Sequence, residues 1–134
     1  MIKLIVGEKG TGKTKILLDS MHEAVKKTNG NVVCIDKGSK LTYDLDYNVR
    51  LINLEEYQVS GFEAFYGFVA GLLAGNYDIT DIFVDSILKV VGRDYEKLGQ
   101  FFNSLDLIAK DVNLIFTVSA DRQVLPESVQ QYII

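Results

Sequence analysis

Two hydrophobic periods alternate along this chain. Residues 2–6 (Ile-Lys-Leu-Ile-Val) are a short, β-branched-rich apolar run, which predicts a buried strand. Over residues 13–27 the apolar positions Leu17, Met21, Ala24 and Val25 fall at i, i+4, i+7 and i+8, one face of a helix. Asn29-Gly30-Asn31 ends it. Residues 32–36 form a second apolar strand. Residues 37–48 are polar, contain Gly38 and Ser39, and read as a loop, and 49–54 read as a short strand. Helical spacing returns over 61–76 with Phe62, Phe65, Tyr66, Val69, Leu72 and Leu73, and over 95–110 with Leu98, Phe101, Phe102, Leu105 and Ile108. Residues 79–85 and 113–118 are the remaining strands. The only proline, Pro126, precedes a segment over 127–134 that reads as a short terminal helix.

Strands thus alternate with helices from end to end, without repeats or linker composition. This predicts a three-layer α/β fold: a mostly parallel sheet of about five strands with helices on both faces, as one domain over residues 1–134. In such sheets ligands bind at the carboxyl edge of the strands, so the residues just after each strand are the ones that matter for function.

Composition narrows the classes. With 134 residues and 48% hydrophobic side chains, the chain can bury one substantial core. The net charge is −4 and the 14 Lys and Arg residues form no basic stripe, which argues against nucleic acid as a partner. Cys34 is the only cysteine, so no internal disulfide forms, and a reducing cytoplasm is the expected setting. The most lipid-like stretch, residues 64–74, is too short to span a bilayer, and the apolar run 2–6 is too short for a signal peptide.

Candidate chemistry begins after the first strand. Residues 7–14 read Gly-Glu-Lys-Gly-Thr-Gly-Lys-Thr, the Gly-x-x-x-x-Gly-Lys-Thr pattern of a Walker A loop. Its glycines let backbone N–H groups converge on an anion, and the following helix adds its positive dipole end. A nucleotide with Mg²⁺ is therefore expected here. The binding set is Gly7, Lys9, Gly10, Thr11, Gly12, Lys13, Thr14 and Lys15, with Lys13 reaching the β- and γ-phosphates and the Thr14 hydroxyl serving Mg²⁺. Glu8 and Lys9 occupy the variable tip, and Glu8 is expected to face outward. Ile82-Phe83-Val84-Asp85 has the form of a Walker B strand, which assigns Asp85 to the metal. Ser86 follows it, where many ATPases carry a water-activating Glu. Asp36 ends the second strand; it either orients an attacking water or caps the turn after it. Ser119 ends the last strand and either senses the γ-phosphate or bonds to backbone. Arg93 and Arg122 either neutralise phosphate or are solvated. His22 lies mid-helix without metal-spaced partners.

On these residues the chain resembles P-loop NTPases of the RecA-like branch over most of its length. Val33-Cys34-Ile35-Asp36 looks like that branch's second strand, Ile82-Phe83-Val84-Asp85-Ser86 like its Walker B strand, and residues 114–119 like its γ-phosphate sensor strand. The resemblance implies ATP binding. It also implies a catalytic Glu two residues after Asp36, where this chain has Gly38, and a sensor glutamine where it has Ser119. The chain is similar, too, to small stand-alone bacterial ATP-binding proteins, some labelled twitching-motility-like. Pilus-retraction motors carry histidine-bearing motifs, which one histidine does not match. GTPase signatures Asp-x-x-Gly and Asn-Lys-x-Asp are absent, which favours adenine.

The leading expectation is a slow or partner-activated ATPase or switch. The alternatives are a non-hydrolysing nucleotide sensor and a small-molecule kinase with its substrate over residues 37–48. Gly67, Gly71 and Gly75 recur every fourth residue on the aromatic-rich helix. That strip either packs closely on the sheet or offers a surface for a protein partner or a second copy.

Overall fold

The computed structural model describes residues 1–38 and 45–134. The expected turn after Asp36 and the substrate position over 37–48 therefore fall in part outside the described residues. Five strands, β1 (Ile2–Gly7), β2 (Asn31–Asp36), β3 (Val49–Asn53), β4 (Ile79–Val84) and β5 (Asn113–Ser119), form one sheet in the order β1-β5-β4-β2-β3. Every neighbouring pair is parallel. The helices are α1 (Lys13–Lys27), α2 (Phe62–Gly75), α3 (Ile87–Val91), α4 (Tyr95–Ala109) and α5 (Glu127–Gln130).

The distribution of helices follows from handedness. The step from β1 to β2 crosses the positions of β5 and β4 in one direction, and the steps from β3 to β4 to β5 return in the other. Right-handed crossovers place connections of opposite direction on opposite faces. Accordingly α1 lies on one face, where Leu17 and Met21 pack with Ile5, Val32, Cys34, Phe83 and Ile115. The other face holds α2, α3 and α4, whose Phe65, Val69, Ile87, Leu98, Phe102 and Leu105 pack on Leu4, Val33, Ile35, Ile82, Val84 and Phe116. Each inner strand is apolar toward both layers, with alternate residues entering the two cores.

The predicted helices and strands stand, with ends shifted by a residue in several cases. Three features differ. Residues 87–91 form a five-residue helix that an apolar run of this length does not announce. The C-terminal helix stops at Gln130, and the chain then runs beside β1: Leu4 N–H donates to the Tyr132 carbonyl at 2.9 Å and Ile134 N–H to the Leu4 carbonyl at 3.1 Å. Unpaired edge groups on β1 are the physical reason, since they bind any strand-like segment brought alongside. Third, Gly67, Gly71 and Gly75 face away from the sheet: all three are exposed, and a Cβ on any of them would meet nothing within 4 Å. Close packing of the strip on the sheet is thereby excluded. No described helix is long and apolar enough to cross a membrane.

Candidate functional site

β1 delivers Gly7 to the carboxyl edge of the sheet, where the chain must turn back into α1 within five residues. Gly10 (φ 84°) and Gly12 (φ 82°) take left-handed conformations, which glycine reaches without a Cβ penalty. Gly7 is required for another reason: a Cβ there would stand 2.5 Å from Thr11 Oγ1, across the loop. α1 starts with neither a side-chain cap nor an acidic residue in its first turn. Its leading N–H groups and positive dipole end therefore face the loop without an acidic residue of the helix's own first turn.

The Lys13 side chain folds back under this loop. Its ammonium donates to the Glu8 carbonyl at 2.8 Å and stands 3.5 Å from Thr11 Oγ1, while the Thr11 hydroxyl donates to the same carbonyl at 2.7 Å. Only 7% of Lys13 is exposed. Burial holds its ammonium below the ordinary lysine pKa, and the Asp85 carboxylate opposes that shift.

Asp85 leaves β4 at the same edge, 6% exposed, with its N–H donating to the Ile35 carbonyl at 3.2 Å. Both carboxylate oxygens lie 3.4 Å from Thr14 Oγ1. A third group enters from the strand between: the fully buried Thr117 hydroxyl donates to Asp85 Oδ1 at 2.6 Å and accepts from Ser86 N–H at 2.6 Å. Ser86 itself is left-handed (φ 57°), unusual for a residue with a side chain. Thr117 was not among the residues expected from sequence. Its signal was there: a hydroxyl within the apolar run of residues 114–118 needs a buried partner.

These groups face a cavity of about 980 Å³ lined by Lys9, Gly10, Gly12, Lys13, Thr14, Asp85, Thr117 and Ser119, with Glu8, Lys89, Arg93 and Asp121 among its other walls. Glu8 is exposed and contributes its carbonyl inward. Gly7 and Thr11 shape the loop beneath. Ser119 lies level with Gly7 across the β1–β5 pair, and its carbonyl accepts from Arg93. Three expected residues stand apart from this cavity. Lys15 pairs with Asp19 on the exposed side of α1 at 3.0 Å. Arg122 lies near Glu127 and Gln130, at a separate surface depression. Asp36 is 3% exposed at the end of β2, the strand next to β4, and does not line the cavity. Cys34, in the core below, has its thiol pushed up to about 12 by burial and by the nearby Asp36 and Asp85 charges. Among the described residues no three His, Cys, Asp or Glu side chains gather as a metal cluster.

No protein-family model matches the sequence, and no curated relative matches it. Solved structures do. The flagellar accessory protein FlaH from Methanocaldococcus jannaschii superposes with a TM-score of 0.57 at 20% identity, over 97% of this chain and 65% of that chain. Domain III of the replication initiation protein DnaA from Thermotoga maritima gives a TM-score of 0.49 at 17% identity, over 98% of this chain and 50% of that one. This chain thus spans 65% of the length of the FlaH chain and 50% of the length of the DnaA chain. Its sheet, its helices on both faces and the first of these likenesses give it the three-layer P-loop NTPase fold.

Proposed function

We propose that this chain is a single nucleotide-binding domain that takes ATP with Mg²⁺ at the loop of residues 7–14 and acts as a slow or partner-activated ATPase or switch. One observation carries this reading: Lys13 and Thr14 on one side of the cavity meet Asp85, 71 residues on from Thr14, on the other. The loop's N–H groups and the Lys13 ammonium suit the β- and γ-phosphates. The ammonium's acceptor is the Glu8 carbonyl, a neutral group that a phosphate oxygen would outcompete.

The donor set fits a hard divalent cation. A threonine hydroxyl and a carboxylate converge, all oxygen, and two protein ligands suffice for an ion that keeps water and phosphate oxygens around it. Thr14 and Asp85 would hold Mg²⁺. Bound there, the ion supplies charge neutralisation for the phosphate oxygens. Thr117 fixes the carboxylate's orientation, and Lys13 neutralises charge from below. Ser119 stands level with the start of the loop, as a terminal-phosphate sensor would.

The acid that would position water is the unassigned part. Asp36 is buried and does not line the cavity, and Asp85 is already bonded to Thr117. That arrangement favours slow turnover, or completion of the site by a partner's residue. It also supports a second reading, a nucleotide sensor that signals by occupancy.

Equilibrium binding and single-turnover phosphate release separate these. The expected result is MgATP binding that weakens about 100-fold or more in Lys13→Ala, the loss of charge-assisted bonds to phosphate. Slow, Lys13-dependent release of phosphate supports the ATPase. Binding without such release favours the sensor. Failure of the wild-type chain to bind MgATP ends both.

A further inference from the structure

Arg93 lines the same cavity as the phosphate loop, and its hydrogen bonds there are long ones. It lies between Gly92, which closes α3 with φ 91°, and Asp94, which caps α4. Its Nη1 donates to the Ser119 carbonyl and to the Tyr95 hydroxyl, each at 3.3 Å. Both distances exceed the usual 2.9–3.0 Å for an N–H···O bond, and both acceptors are neutral. The side chain is exposed and makes no ion pair with any described carboxylate. A guanidinium carries five donors in a planar fork that matches a phosphate. Two long bonds to neutral oxygens leave most of that capacity unused.

Its location gives the unused capacity a target. Ser119 is the register partner of Gly7, and Ala120 N–H donates to the Gly7 carbonyl at 3.1 Å. The guanidinium is therefore less than two strand spacings, about 10 Å, from the residue where the loop begins. It also lines the cavity together with Asp85, on the connection that leaves the Asp85 strand end by way of α3. Lys13 approaches the same space from beneath the loop.

We propose that Arg93 is a second cation for the terminal phosphate of a bound nucleoside triphosphate, supplied in cis from the connection between α3 and α4. On binding, the guanidinium exchanges the Ser119 carbonyl and Tyr95 hydroxyl for terminal phosphate oxygens, and charge-assisted bonds replace neutral ones. Because a diphosphate lacks that group, Arg93 sets the preference of the site for triphosphate over diphosphate. The inference rests on the nucleotide reading above.

The test is the ratio of MgATP to MgADP affinity, measured by equilibrium titration of the whole chain. The variants are Arg93→Ala, Arg93→Lys and, as a control, Arg50→Ala on the far edge strand β3. Arg93→Ala is expected to weaken MgATP about 10- to 100-fold, the range of a charge-assisted hydrogen bond, and to change MgADP by less than about twofold. Arg93→Lys, which keeps the charge without the fork, falls between. Arg50→Ala leaves the ratio at its wild-type value. Equal weakening of both nucleotides, or unchanged MgATP affinity, overturns the assignment while leaving the nucleotide site intact. A wild-type chain that binds neither nucleotide overturns the site itself, and this inference with it. Thermal unfolding of each variant confirms that an exposed arginine, and not the fold, has been altered.

Discussion

Thr117 and Cys34 point from β5 and β2 into the same layer of the molecule, beneath the carboxyl edge, and each makes a measurable claim. The Thr117 hydroxyl serves two groups at once, Asp85 Oδ1 and the Ser86 N–H. Thr117→Val keeps the shape and leaves both without that partner, so it should cost about 1–3 kcal/mol in urea unfolding, with Thr117→Ser recovering most of it. An unchanged midpoint in the valine variant would show that the bonds contribute nothing net. Cys34 has a folded-state pKa raised from 9.0 to about 12, first by burial and then by Asp36 and Asp85. Above pH 9 the unfolded chain releases that proton while the folded chain keeps it. Its contribution to stability is thus fully present below pH 9 and is lost as pH rises toward 12, at about 1.4 kcal/mol per pH unit. Lys13, whose pKa is lowered, acts with the opposite sign, gaining stability as pH rises toward the ordinary 10.5. Subtracting the Cys34→Ala curve from wild type isolates the thiol. The difference should shrink steadily between pH 9 and 11, and a flat difference would contradict the assignment.

At the scale of single elements, α2 is the informative case. It buries Phe65 and Val69 against the sheet and turns Gly67 and Gly71 outward with open space above each. A glycine inside a helix is about 1 kcal/mol less favourable than alanine, and nothing here resists a methyl group. Gly67→Ala and Gly71→Ala should each stabilise the chain by about 0.5–1 kcal/mol in denaturant unfolding. A loss of stability in either would mean that the strip is covered by something in the folded protein. The helical period of α2 is plain in the sequence, yet the direction of its glycine strip is not, because Phe and Gly faces are each consistent with packing inward. α4 is clearer, since Leu98, Phe101, Phe102 and Leu105 leave only one face to bury, and Asp94 caps it by accepting from Lys97 N–H at 3.2 Å. α3 and the strand-like end at Ile133 were hidden for the same reason as each other: both are too short for a period to declare itself.

Over the whole molecule, the distance between contact and sequence separates what was legible from what was not. The loop of residues 7–14, its place between a strand and a helix, and the α/β alternation are local properties. They depend on glycine's freedom, on periods of two and 3.6 residues, and on crossovers that admit one handedness, so the sequence by itself determined them. Asp85 is singled out by a local pattern too, an apolar strand ending in Asp, and the structure brings it to within 3.4 Å of Thr14 Oγ1. Only the tertiary structure decided the strand order β1-β5-β4-β2-β3, and with it everything that depends on which strand ends are neighbours. Insertion of β5 between β1 and β4 brings the Thr117 hydroxyl to Asp85 and sets Ser119 beside Gly7. It also puts the Ser119 carbonyl within reach of Arg93, while Asp36, at the end of β2, is buried and does not line the cavity. The physical reason is that apolar strands buried on both faces carry little information about their own order. Register and neighbour choice are settled by packing among all five strands and the helices that connect them.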